Sequence, residues 1–337
     1  MKDLRLLVLT DHSTHSPNNS VYVLARALAR HPRVQEVFMV SRATDANRPF
    51  FEALQEGPLH GIRITRRTDF QPDGAQFFQP RVEHRLGDFD VVLLRLPHPV
   101  PVEFLRFLQN ALDERKIINR PSGILETGSK AFLLNFPELC PPMQLCETRK
   151  EVLEFAARFP IVLKPIQNYG GRGVVRIEGE RVSGSNGEQG LDEFFAEAEE
   201  QFQRGGYLGM KFLHNVHQGD KRLVVVNGQI VGAALRLPPE GAWLCNAAQG
   251  GTSTFAKADA DERRIVETLN GQLLPRGIVF YGVDTLVGDD GRRVLSEINT
   301  LSIGGLKQAK SLGRVPVPRL AAELLLEYVE NHVVGRA

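Results

Sequence analysis

Near the C-terminus, two apolar runs carry acidic residues in positions where a sheet would bury them. The first is Gly282-Val283-Asp284-Thr285-Leu286-Val287; after the turn Gly288-Asp289-Asp290-Gly291 comes Val294-Leu295-Ser296-Glu297-Ile298-Asn299. Two β-branched runs around a glycine-bounded turn read as an antiparallel hairpin. A symmetric turn sets Asp284 opposite Leu295, and alternation then puts Asp284, Leu295, Glu297 and Asn299 on one face. A one-residue slip would send Asp284 to the other face. Carboxylates among apolar neighbours need a cation. Two carboxylates and an amide oxygen are hard donors suited to magnesium, or manganese in its place, shared with substrate phosphates. Asp284, Glu297 and Asn299 are therefore the candidate metal ligands. The competing reading, an exposed charged face, fits the apolar neighbours poorly.

Such a hairpin must sit in a larger body, and 337 residues exceed one core; domains run to ~100–150 residues. Residues 1–120 alternate short strands with helices, as a parallel-sheet α/β domain does. Strands are expected at Leu4–Leu9, Glu36–Val40, Ile62–Thr65 and Val91–Arg95, and a helix follows the cap cluster Asn18-Asn19-Ser20. No GxGxxG follows the first strand, so a dinucleotide fold has no support. From Pro121 the pattern changes. Residues 121–204 carry helices at Ser129–Phe136, Arg149–Phe159 and Leu191–Phe202, a hairpin Ile161–Pro165/Val174–Glu178, and a polar glycine-rich stretch Ser183–Gly190. Residues 205–337 are rich in antiparallel signals, including the Asn227-Gly228 turn, and close with a helix at Leu320–Asn331. The fold class is α/β, α+β overall, and the length allows two or three domains.

Cations recur at chosen places. Lys164 interrupts the apolar strand Pro160–Pro165, ahead of the turn Asn168-Tyr169-Gly170-Gly171-Arg172-Gly173. Glycines let backbone N–H groups approach phosphate oxygens, and Lys164 would neutralise their charge; an edge lysine beside an ordinary turn is the plainer reading. Lys130 stands at a helix start, where anions are favoured. Asp220-Lys221-Arg222 opens one strand of the Asn227-Gly228 hairpin and Arg236 ends the other. Asp220 suits a sugar hydroxyl or a lysine, and arginines clamp carboxylates and phosphates. Simple alternation pairs Arg222 with Ala233 and leaves Arg236 on the opposite face unless a bulge intervenes. The segment Leu237–Gly251, with Trp243 and Asn246, has the length of a mobile active-site loop. His214 and His217 have no third ligand and are assigned no metal.

Formal net charge is +1, which argues against a nucleic-acid partner. No apolar run approaches the ~20 residues of a membrane span. The N-terminus lacks signal-peptide features, and three cysteines without CxxC fit a reducing cytoplasm.

In order, these features resemble the ATP-grasp layout, and within it prokaryotic glutathione synthetase. The resemblance runs from Asp90–Arg95 through Ile118–Pro121, Lys130, Ile161–Pro165, Gly170-Gly171 and Gly219–Arg222 to Gly282–Asp284 and Glu297-Ile298-Asn299. It implies a three-domain fold with ATP between two antiparallel-sheet subdomains. ATP would meet Lys130, Lys164, Gly170, Gly171, Asp220 and the strand linker Met210-Lys211-Phe212-Leu213. Arg222 and Arg236 would be catalytic, near the transferred phosphate, and Asp284, Glu297 and Asn299 would hold magnesium. The family's chemistry phosphorylates a carboxylate and lets an amine attack the acylphosphate; its members suggest a homo-oligomer, dimer or tetramer.

Departures concentrate on the acceptor side, where Arg95, Asn246, Ser302, Gly304 and Gly305 are the candidates. Thr300–Gly305 lacks the family's proline, Thr252 follows Gly250-Gly251 where an arginine is the rule, and Leu96-Pro97-His98 follows Arg95. Three functions remain in view: a ligase joining γ-glutamylcysteine to glycine or a related pair; the same chemistry on another acceptor, as in D-alanine or glutamate ligases; and a non-catalytic nucleotide-binding regulator. The full set of lysines, arginines and acids argues against the last.

Overall fold

Side-chain alternation and turn chemistry resolve the chain into three sheets. The computed structural model describes residues 3–78, 82–166, 171–185, 187–239, 241–243, 252–307, 309 and 315–334. The first, six-stranded sheet contains β1 (Leu4–Thr10), β2 (Val34–Ser41), β3 (Leu59–Arg63), β4 (Val82–His84), β5 (Val91–Leu94) and β6 (Ile117–Ile118), ordered β4-β3-β2-β1-β5-β6. Its four consecutive strands β2-β1-β5-β6 are parallel, and β3 and β4 extend it antiparallel. Buried on both faces, β1 and β5 are almost wholly apolar, as central parallel strands must be. The chain leaves β1 toward β2 on one side and returns as β5 on the other. Such a switch point leaves a crevice beyond the strand ends, and there Thr10 Oγ1 donates to the Arg95 carbonyl at 3.2 Å.

The second, six-stranded sheet is antiparallel: β7 (Met143–Cys146), β8 (Ile161–Pro165), β9 (Val175–Glu178), β10 (Arg181–Gly184), β11 (Gly187–Gly190) and β12 (Tyr207–Lys211), ordered β11-β10-β9-β8-β12-β7. Three features of this sheet go beyond the sequence reading. The polar stretch Ser183–Gly190 contributes to the hairpin β10/β11, because an edge position needs little apolar surface and Val182 alone carries its inward face. The stretch 191–202 forms two short helices, Leu191–Glu197 and Glu199–Gln203. Strand β12, beyond the expected 204/205 division, lies between β8 and β7.

The third sheet has five strands, β13 (Asp220–Val226), β14 (Gln229–Leu237), β15 (Thr252–Ala256), β16 (Phe280–Val287) and β17 (Arg293–Asn299), ordered β15-β14-β13-β16-β17. Asn227 and Gly228 both take positive φ, 46° and 75°, as a type I′ hairpin turn requires. The helix Ala260–Leu273 buries Ile265, Val266, Leu269 and Leu273 beneath this sheet. The helix Val317–Val329 packs on both the helix Ser20–Ala29 and strands β13 and β14, sharing one apolar core between the first and third sheets. Asn119 stitches the same two units: its Nδ2 donates to the Phe280 and Thr300 carbonyls at 2.7 and 2.6 Å. Its Oδ1 accepts the Val279 and Phe280 N–H groups, both at 2.8 Å.

Candidate active site

Two register shifts build the site. In β13/β14, Val224 faces Gly232 while Val225 faces Ile230, so Val231 is an extra residue. Arg222 consequently pairs with Ala234, not Ala233, and Asp220 pairs with Arg236. A bulge reverses the parity of everything beyond it, so Asp220, Arg222 and Arg236 share a face that plain alternation would have split. In β16/β17, Asp284 faces Glu297 while Thr285 faces Leu295, leaving Ser296 extra. Asp284 therefore meets Glu297 directly, and Leu295 leaves the expected acidic face for the core. The bulge also frees two backbone groups. The Leu295 N–H donates to the Leu139 carbonyl at 2.8 Å, and the Ser296 carbonyl accepts from Lys164 Nζ at 3.0 Å.

Asp284 is the hub. Arg222 grips both its oxygens, through Nε to Oδ1 and at 2.6 Å to Oδ2. Arg236 reaches Oδ1 at 3.1 Å, and Asn299 Nδ2 lies 3.4 Å from Oδ2. A carboxylate offers about four lone-pair positions, so each is engaged. Burial pushes the Asp284 carboxyl up, but the two guanidiniums outweigh it and hold it below the usual carboxylate range. Asp220, expected to meet a sugar or a lysine, instead gives both oxygens to Arg236 at 2.5 and 2.7 Å. Burial and the Asp284 charge raise its pKa despite that pairing.

Across the cleft stand the two lysines. Lys130 begins the short 3-10 helix Lys130–Asn135, where a longer helix was expected. Its N-cap Ser129 accepts the Ala131 N–H. Lys130 is buried, which lowers its pKa; nearby Glu297 opposes that shift and Lys164 adds to it. One cleft is lined by Lys130, Lys164, Gly171, Asp220, Asp284 and Glu297 at its charged end. Val162, Val174, Met210, Phe212, Leu213, Val216, Trp243 and Leu286 line its apolar end. Phe212 has the Arg176 guanidinium 3.8 Å from its centroid and Trp243 edge-on at 6.1 Å. The N–H groups of Lys211 and Phe212 are used by the Pro142 and Pro160 carbonyls, both at 2.8 Å. These two residues can therefore meet a ligand through side chains or carbonyls only. Lys211 Nζ is drawn off to Asp289 at 2.7 Å.

The acceptor candidates divide. Arg95 and Ser302 line a small separate cavity with Asn119 and Phe280. There the buried Arg95 guanidinium donates to the Ile303 carbonyl at 2.5 Å and lies 4.9 Å from the Phe280 centroid. Gly305, at φ 105°, runs past Val224 and Arg222, where an added Cβ would come within 3.4 and 3.7 Å, while Gly304 faces open space. Gly170 and Asn246 lie outside the described residues. Sequence reasoning missed Leu139, which needs the folded chain to find, and Glu262, which the capping-box spacing Asp259-x-x-Glu262 does signal.

Charged and apolar side chains lining one cleft between two antiparallel sheets, on a chain whose residues 129–314 match an ATP-grasp family, define an ATP-grasp ligase. Solved structures sharing the fold include D-cycloserine synthetase DcsG, with TM-score 0.64, 16% identity, and coverage of 95% of this chain and 99% of that one. D-alanyl-alanine synthetase A of Vibrio cholerae matches at TM-score 0.57 and 13% identity over 99% of each chain. Residues 129–314 match the family described as prokaryotic glutathione synthetase, ATP-grasp domain, and the chain belongs to that family. Glutathione synthetase of Rhodopseudomonas palustris is 30% identical over 248 residues, 72% of this chain and 74% of that protein. That of Brucella melitensis is 29% identical over 310 residues, 90% and 93% respectively. The protein is thus an ATP-dependent ligase of the glutathione synthetase type, forming C–N bonds. Among the described residues no helix is long and apolar enough to cross a membrane.

Proposed function

We propose that this chain joins γ-glutamylcysteine to glycine, activating the dipeptide's carboxylate as an acylphosphate at the expense of ATP. The observation that carries this reading is the direct opposition of Asp284 and Glu297 in a cleft shared with Lys130 and Lys164. The adenine would occupy the apolar end beside Met210–Leu213 and the phosphates the charged end near Gly171. Asp284, Glu297 and Asn299 would hold magnesium, or manganese. Two carboxylates and an amide oxygen on adjacent strands fit such an ion, being hard donors too few for an all-protein cage. Bound there, the ion would offset charge on the transferring phosphoryl group.

The remaining work falls to the chain's own side chains. Lys130 and Lys164 would hold terminal phosphate oxygens, and fixed cations that need not reorganise are effective in stabilising developing charge. Arg222 and Arg236 would swing part of their bonding from Asp284 to the phosphoryl and acyl oxygens, orienting both for in-line transfer. The segment Ser302–Gly305, together with Asn246, would receive the acceptor, the buried Arg95 holding that segment through the Ile303 carbonyl. We read three units, residues 1–120, 121–211 and 212–337, the middle one enlarged to take in β12. A cytoplasmic homo-oligomer is the expected form.

The test is incubation with Mg-ATP, γ-glutamylcysteine and glycine, following ADP release and product mass. Glutathione formed in step with ADP supports the reading. ADP released only with other acid and amine pairs from a panel transfers the chemistry to a different acceptor. That second reading is favoured by Thr300–Gly305, whose Leu301 and Ile303 are buried and whose Ser302 takes φ 51°.

A further inference from the structure

Behind the acidic site, on the other face of the third sheet, lies a second ionic cluster. Lys221 and Thr285 are cross-strand partners, each next in the chain to Arg222 or Asp284, which also pair. Consecutive strand residues face opposite ways, so one step in register presents Arg222 and Asp284 to the cleft. The same step presents Lys221 and Thr285 to the helix Ala260–Leu273. From the first turn of that helix, Glu262, fully buried, meets both: Lys221 Nζ and Thr285 Oγ1 each donate to its carboxylate at 2.7 Å. The Asp259 N–H donates to the same carboxylate at 2.9 Å. Lys221 donates further to the Lys257 carbonyl at 3.0 Å and to Asp259 at 3.3 Å. The neighbouring Asp261 accepts from Arg292 at 2.8 Å and from the Arg293 N–H at 3.3 Å. The Arg293 guanidinium in turn donates to the Thr285 carbonyl at 3.1 Å.

Two of these bonds, from Glu262 and from Arg293, fall on Thr285, at the place where β16 and β17 lose register. Thr285 is held by its hydroxyl and by its carbonyl, and the shift falls between it and Asp284. Plain pairing would set Leu295, not Glu297, against Asp284. A buried ion pair adds little stability over an apolar pair of equal volume; what three directional bonds supply is position.

We propose that Glu262 and Thr285 are positioning residues for the metal site, holding β16 in the bulged register that opposes Asp284 to Glu297. This rests on the reading that Asp284, Glu297 and Asn299 hold the divalent ion. Neither residue touches the ligand; both act through the backbone of Asp284. Outer partners of metal ligands typically change affinity by 10–100-fold when removed.

The test compares the unchanged protein with Thr285→Val, which keeps the shape and loses the hydroxyl, and Thr285→Ser, which keeps the hydroxyl. Manganese binding is read by electron paramagnetic resonance in the presence of a non-hydrolysable ATP analogue, and magnesium dependence by steady-state kinetics. Thr285→Val is expected to bind manganese about tenfold more weakly and to need correspondingly more magnesium. Its kcat at saturating magnesium should be nearly restored, its KM for ATP little changed, and Thr285→Ser should behave as the unchanged protein. Glu262→Gln, which keeps a hydrogen-bonding shape, substitutes if Thr285→Val does not fold, with the same expectation. Unaltered manganese affinity in folded Thr285→Val or Glu262→Gln, while the unchanged protein remains metal-dependent, would overturn the proposal alone. An unchanged protein that turns over without any divalent ion would remove the metal reading and the proposal together.

Discussion

In the free protein, Asp284 has no lone pair to spare for a metal. Its four positions go to Arg222 twice, Arg236 once and Asn299 once, the last at 3.4 Å. For the ion to bind, one guanidinium bond must yield, and a hydrogen bond to a charged group contributes about 1.5–3 kcal/mol. At about 1.4 kcal/mol per decade, metal alone should bind about 10–150-fold more weakly than metal arriving with nucleotide. The nucleotide's phosphates offer the arginines a replacement anion and so release the carboxylate. Titration of free manganese by electron paramagnetic resonance, with and without a non-hydrolysable ATP analogue, measures the ratio. Arg236→Gln, which removes one of the competing bonds, should narrow it. Equal affinity with and without nucleotide would refute the idea that the arginines compete for Asp284.

Other expectations follow from single features. Glu297→Gln should lower kcat about 100-fold or more with the circular dichroism spectrum unchanged; retained turnover would take Glu297 out of the site. Trp243, the chain's one tryptophan, edges Phe212 in the apolar end of the cleft, so its fluorescence should change on ATP addition. Base stacking on an aromatic side chain contributes about 1–3 kcal/mol, so Trp243→Ala should raise KM for ATP roughly 5–150-fold with smaller effect on kcat. Burial, aided by the charges of His12 and Arg95, pulls His15 down to about 4, and burial with Lys130 does the same to His98. Both lie below the ordinary 6.5, so the fold favours the neutral rings. Their contribution is complete above about pH 6.5 and is lost as pH falls toward 4. Thermal midpoints taken across that window should decline, and His15→Gln with His98→Gln should flatten the decline.

The acidic hairpin was legible because Asp284, Glu297 and Asn299 interrupt apolar runs at spacings that alternation maps onto one face. Its register was not, since the extra residues Val231 and Ser296 are ordinary strand formers and nothing in their identity marks a bulge. Those two residues decide that Arg222 and Arg236 share a face and that Asp284 meets Glu297. The glycine-rich stretch at 183–190 gave no strand signal because its composition is polar, while an edge hairpin needs only backbone pairing and the buried Val182. The helix Ala260–Leu273 was not read from the sequence, although Asp259-x-x-Glu262 and apolar residues at helical spacing signal it. Contacts such as Leu139 with Leu295, or Arg95 with Ile303, join residues 156 and 208 positions apart and belong to the folded chain alone.

Oxygen transfer tests the central claim most directly. γ-Glutamylcysteine labelled with 18O in the cysteinyl carboxylate is incubated with the protein, glycine and Mg-ATP, and the released phosphate is analysed by mass spectrometry. Activation of that carboxylate by phosphoryl transfer in the Asp284–Glu297 cleft predicts one labelled oxygen in each phosphate, formed in equal amount with glutathione. Unlabelled phosphate accompanying glutathione, or ADP released without any peptide bond, would contradict it.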